Sequence, residues 1–91
     1  MPTLIKIIGL DVLDDHRIAL RFSDSSHGVW DAAGVLNRDT PLTRPLTDPA
    51  YFARVFVEAG ALCWPNGLEF GGHALHETLA KAGSLTHAAA A

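Results

Sequence analysis

Five histidines, His16, His27, His73, His76 and His87, carry the widest chemical range in this sequence, because a neutral imidazole can ligate a transition metal or move a proton near neutral pH. Their spacing argues against a metal centre. His73 and His76 are three apart and share a helical face, but no third ligand lies near them in sequence, and His73 is placed to cap the helix instead. Asp11, Asp14 and Asp15 gather about one turn, while Glu58, Glu69 and Glu77 are scattered, so only the fold can assemble a general acid–base pair. Asp14-Asp15 reads as a hairpin turn, since aspartate bonds its own backbone there. Ser23, Ser25 and Ser26 lie in a turn without a Gly-x-Ser-x-Gly elbow, and Cys63 has no activating signature. Gly71-Gly72 has neither the spacing of a dinucleotide-binding loop nor a P-loop lysine. The sequence therefore assigns no catalytic residue, no cofactor-binding residue and no metal ligand.

Binding chemistry is better represented. In Trp64-Pro65-Asn66-Gly67 a large amphipathic ring is followed at once by a turn that fixes its orientation. Such a ring either plugs the core beside a hairpin or anchors a protein interface. Alternation places Leu62 and Trp64 on one strand face and Pro65 limits the ring's swing, so Trp64 is expected to be at least half buried. Arg38 and Arg44 flank a Pro/Thr-rich stretch and are able to meet an anion or an acidic partner, although charges in such a loop are usually solvated. The candidate partner surface is thus Trp64, Pro65, Asn66 and Gly67 with Arg38 and Arg44.

The elements that must position these residues follow from pattern. Leu4–Leu13 is rich in β-branched residues, and in His16–Ser23 the apolar Ile18, Leu20 and Phe22 alternate with smaller or polar neighbours, giving two strands of a hairpin. Asp24–Gly28 is a second turn, and Val29-Trp30 is a short third strand. Asp31 caps one helical turn, residues 37–45 read as an exposed, mobile loop, and Asp48-Pro49 starts a short helix reaching about Ala53. Val55–Val57 and Ala61–Trp64 form a second hairpin about Gly60, with Leu68–Phe70 a last strand beyond Asn66-Gly67. Leu75, Leu79 and Ala82 mark an amphipathic helix ended by Gly83, and residues 84–91 are expected to be a flexible tail. The expected fold is α+β: an antiparallel three-stranded meander plus a second hairpin, with two or three short helices, in a single domain over residues 1–83.

Composition agrees with an autonomous domain. The chain has 91 residues, of which 48% are hydrophobic and 19% charged, close to ordinary globular usage. A formal net charge of −3 offers no general attraction for a phosphate backbone, so direct nucleic-acid binding is not expected without a partner. One cysteine excludes an intrachain disulfide. No apolar run approaches the ~20 residues of a membrane span and the first residues lack a signal-peptide pattern, so no membrane association and a cytoplasmic location are expected.

Phe22 with Asp24 and Gly28, then Asp31, Asp48-Pro49 with Phe52, and Trp64-Pro65-Asn66-Gly67 with Glu69 and Leu75 resemble a bacterial family, domain of unknown function 2442. The likeness covers most of residues 4–80, and the Trp-Pro-Asn-Gly block is its most specific part. The sequence departs from many relatives at Gly71-Gly72-His73, where they carry Asp-Pro before the last helix. The resemblance implies a compact mixed domain without established enzyme activity, attached in some relatives to a helix-turn-helix, and often encoded beside another small protein in an arrangement like a toxin–antitoxin or regulatory pair. It transfers no catalytic residue, and no helix-turn-helix is read in these residues.

The function expected on these grounds is a non-enzymatic protein-interaction or regulatory module, antitoxin-like, whose partner is a neighbouring small protein or a second copy in a homodimer. The rival expectation is a small ligand-binding or enzymatic domain whose site the fold assembles from His16, His27 or His73 and a carboxylate.

Overall fold

A computed structural model describes residues 4–87. The first hairpin forms where the alternation places it. Strand β1 (Ile7–Val12) pairs antiparallel with β2 (Arg17–Phe22), with Leu10 opposite Leu20 and Val12 opposite Ile18. The Asp14 carboxylate closes the turn by accepting from the backbone N–H groups of His16 at 3.2 Å and Arg17 at 3.0 Å, the local bonding expected of aspartate there. Strand β3 (Ser26–Asp31) continues the meander, and it is longer than the Val29-Trp30 segment expected from apolar pattern alone. The added residues, Ser26 to Gly28, are polar or small and carry no hydrophobic signal. They are held because His27 and Gly28 pair with both neighbouring strands and Ser26 pairs with the strand on the far side.

One of those neighbours corrects the expected tail. Leu85–His87 is strand β7, antiparallel to β3, so the first sheet has four strands in the order β1-β2-β3-β7. Residues 88–91 of that tail lie outside the described residues. The turn that returns the chain is built at Gly83, whose φ of +71° suits glycine. Gly83 N–H donates to the Ala80 carbonyl at 3.2 Å and Ser84 N–H to the Leu79 carbonyl at 2.9 Å, the paired bonds of a Schellman stop.

Between the sheets the chain makes short helices. Asp31 accepts from Ala33 N–H at 2.9 Å and starts α1 (Ala33–Leu36). The stretch 37–45, expected to be a bare loop, is tied down instead. Thr40 and Thr43 exchange backbone-to-hydroxyl bonds at 2.9 and 3.2 Å, Thr43 is buried, and a 3₁₀ turn at Arg44–Thr47 sends Leu46 fully into the core. Hydroxyl pairing of this kind substitutes for regular structure without leaving a periodic trace. Asp48 then accepts from Ala50 N–H at 3.0 Å with Pro49 at the first position of α2 (Pro49–Phe52), as its sequence indicates.

The second sheet orders β4 (Phe56–Glu58), β5 (Ala61–Cys63) and β6 (Glu69–Phe70), with β5 central. Helix α3 (Gly72–Lys81) follows, buries Leu75 and Leu79, and exposes the Glu77–Lys81 pair at 3.1 Å. His73 does not cap it: Gly71 is the N-cap and no side chain caps the helix. A Cβ on Gly72 would run into the Gly60 carbonyl oxygen and lie 2.8 Å from the Ile7 nitrogen. The bare α-carbon thus lets α3 start directly on the junction where Ile7 N–H donates to Gly60 O at 2.9 Å and links the two sheets.

The core lies between these layers. Phe52 and Trp64 pack at 5.7 Å, Trp64 and Phe70 at 6.0 Å, and Phe70 and Trp30 at 5.3 Å, so one file of rings runs from α2 through the second sheet to the first. Among the described residues no helix is long and apolar enough to cross a membrane.

Candidate partner-binding surface

The tryptophan of the Trp-Pro-Asn-Gly turn is interior. Trp64 is 1% exposed, and its indole N–H donates to the Phe52 carbonyl at 3.0 Å, which satisfies the one polar group a buried tryptophan carries. The expectation of a ring at least half buried is met, and Trp64 is thereby removed from the candidate surface as a contact residue. Pro65, Asn66 and Gly67 remain exposed.

Asn66 is the most connected residue of that turn. Its backbone N–H donates to the Tyr51 hydroxyl at 3.0 Å, its side-chain amide donates to the Leu42 carbonyl at 3.0 Å, and its side-chain oxygen accepts from Leu68 N–H at 3.1 Å. One side chain therefore clips α2, the threonine-rich stretch and the entry to β6 together. Around it the structure brings Leu42, 47% exposed, beside the Pro65 turn and Tyr51, whose ring lies 5.7 Å from the Arg54 guanidinium. The two arginines singled out in sequence are placed differently. Arg44 is held by Asp39 at 2.9 Å on the surface, whereas Arg38 lines, with Trp30, Phe70 and Leu75, a hollow of about 340 Å³ between α1 and α3.

Of the three histidines named for a fold-assembled site, His16 is the one that the structure sets beside carboxylates. Among the described residues no group of three or more His, Cys, Asp or Glu side chains is placed to hold a metal ion. His16 lies 3.9 Å from Asp14 and 3.8 Å from Asp31, His27 is on the outer face of the first sheet, and His73 is in the first turn of α3. The close histidine–carboxylate contact uses a different residue: His76 Nε2 is 2.9 Å from Asp24 Oδ2, with the imidazole edge-on to Phe22 at 5.1 Å. Asp24 also accepts from the Ser26 hydroxyl and from Ser26 N–H at 3.0 Å. The Ser26 hydroxyl, with help from that N–H and from His76, lowers the Asp24 carboxyl from 3.8 to about 2, against a desolvation that raises it. The serine meets the carboxylate and not the imidazole, so this is a turn-to-helix tie and not a nucleophile with its base. Burial pushes the Cys63 thiol up, with Glu69 and Glu58 adding to the effect, and that disfavours the reactive thiolate.

A second surface was not legible as such. Leu4, Ile8, Val12 and Leu13, four of the large exposed hydrophobic residues, lie on or beside β1, with Ile8 66% and Leu13 48% exposed. β1 is an edge of its sheet, and a bulge between Ile7 and Gly9 turns Ile8 outward. A run of ten mostly apolar residues resembles a buried strand, and only Lys6 and Asp11 within it signal an open side.

With the fold in view, comparison with known proteins shows that the model of the family described as a protein of unknown function, DUF2442, aligns with residues 7–78. The chain belongs to the DUF2442 family. No curated protein and no solved structure matches it. The matched span runs from β1 into α3 and holds the Asp24, Asp48-Pro49 and Trp64–Gly67 features, each of which serves as a tie or cap in this DUF2442 domain.

Proposed function

We propose that this DUF2442 domain is a protein-interaction or regulatory module without catalytic activity of its own, the antitoxin-like member of a two-protein pair acting in the cytoplasm. The observation that carries the reading is the open edge of β1, where unpaired backbone lies among exposed apolar side chains in an otherwise well-packed small domain. Contiguous exposed apolar surface and a free strand edge are what protein partners cover, through main-chain bonds for affinity and side-chain contacts for specificity. Several polar side chains of the domain serve as structural ties. Asp24, Asn66 and the Thr40–Thr43 pair each close a turn or join two elements.

The test is co-purification of the tagged chain from its native host with the adjacent gene product expressed. A stoichiometric complex that Ile8→Lys weakens supports the reading. Repeated recovery of the tagged chain without any protein bound counts against it.

A further inference from the structure

We propose that β1 pairs with β1 of a second copy of this chain, antiparallel and in a single register with Leu10 opposite Leu10, so that the two first sheets become one. This deepens the interaction reading above and rests on it for the choice of surface, but it commits to a different and specific occupant. The backbone supplies the first argument. Leu13 N–H donates to Arg17 O at 2.9 Å, and Asp11 and Gly9 stand opposite Ala19 and Arg21 in the same register. Bonding alternates along an antiparallel pair, so Gly9, Asp11 and Leu13 bond to β2 while Leu10 and Val12 turn their N–H and C=O groups to the other side. Ile7 is joined to Gly60 at the start of the strand, where β4 packs beside β1, and among the described residues no backbone group hydrogen-bonds to Leu10 or Val12 on that side.

Register follows from the same alternation and from charge. Strands joined through outward-facing groups must set Leu10 or Val12 opposite another outward-facing residue. Pairing Leu10 with Val12 would place Asp11 directly against Asp11 of the second copy, a like-charge contact in the ladder. Pairing Val12 with itself would place Asp11 opposite Leu13. Pairing Leu10 with itself instead sets Asp11 of the second copy opposite Gly9. That position is prepared, because the Arg21 guanidinium lies across Gly9, where a Cβ would be 2.7 Å from Arg21 Cζ. Arg21 Nη1 already bonds Asp11 of its own chain at 2.9 Å, and the fork has further donors above Gly9 for a second carboxylate. Asp11 and Arg21 are on the same sheet face, 68% and 54% exposed, and the twofold repeats the contact.

Sedimentation of the full chain over a range of concentrations, together with single-cysteine crosslinking, tests both occupant and register. Residues opposite each other in a hydrogen-bonded pair have α-carbons about 5.5 Å apart, within disulfide range. Leu10→Cys is therefore expected to form an intermolecular disulfide under mild oxidation, whereas Val12→Cys and the parent chain, whose Cys63 is buried, are not. Asp11→Ala is expected to weaken self-association about tenfold, since it removes two charge pairs per dimer, with the melting curve little changed. A strict monomer at every concentration overturns the proposal, as does crosslinking through Val12→Cys in preference to Leu10→Cys. A monomer that still captures the adjacent gene product would leave the interaction reading intact, and a dimer that captures nothing would remove that reading alone.

Discussion

Trp64 shows how much one side chain carries here. It fills the space between α2 and the second sheet, touches Phe52 and Phe70, and gives its N–H to the buried Phe52 carbonyl. Removing a ring of this size from a core typically costs about 3–5 kcal/mol, a large share of the roughly 5–15 kcal/mol available to a domain. Trp64→Ala is therefore expected to leave the chain largely unfolded at physiological temperature, as read by far-UV circular dichroism and urea titration. An unchanged melting temperature with loss of a partner would instead make the ring an interface residue. Asp24 makes a second prediction with a definite sign. Its folded carboxyl is depressed from 3.8 to about 2, so it stabilises the native state fully above pH 3.8 and this contribution is lost as the pH falls from there through about 2. The amount is about 1–2 kcal/mol after allowance for a side chain 27% exposed. Urea titrations between pH 5 and pH 2 should show this loss in the parent chain and a flatter profile in Asp24→Asn; equal profiles would show that other carboxylates carry the acid response.

Elements were legible in proportion to how local their causes are. Asp48-Pro49, the Asp14 turn and the hydrophobic spacing of α3 each act within a few residues, and each appears where its sequence indicates. Strand β7 depends on distant causes. Leu85-Thr86-His87 becomes a strand only because Gly83 turns the chain back and because the edge of β3 is there to receive it, with Gly28 giving room for Ser84. The ties of the candidate surface were illegible for the same reason, since Asn66 reaches 24 positions back to Leu42 and His76 reaches 52 back to Asp24. Gly83→Ala tests the account of β7: a side chain at φ +71° is expected to cost about 1 kcal/mol and to speed amide exchange in residues 85–87 more than in β2. Equal exchange in the two strands would mean that β7 is held by pairing alone.

At the scale of the whole molecule, the two sheets are too small to stand apart. The second has strands of three, three and two residues, fewer than an independent sheet needs, and the first covers one face with α3 and the aromatic file. They share the Ile7–Gly60 bond, the close seat of Gly72 and the sequence of rings from Phe52 to Trp30. A structure joined in this way should unfold as one unit. Nature has placed one reporter in each part, because Trp30 is in β3 and Trp64 follows β5. In Trp30→Phe the emission of Trp64, and in Trp64→Phe that of Trp30, should each follow the same urea transition as the far-UV signal of that variant, even though the two variants differ in midpoint. If Trp64 emission changes well before the backbone signal in Trp30→Phe, the second sheet opens separately, and the junction at Gly60 and Gly72 is a hinge and not a weld.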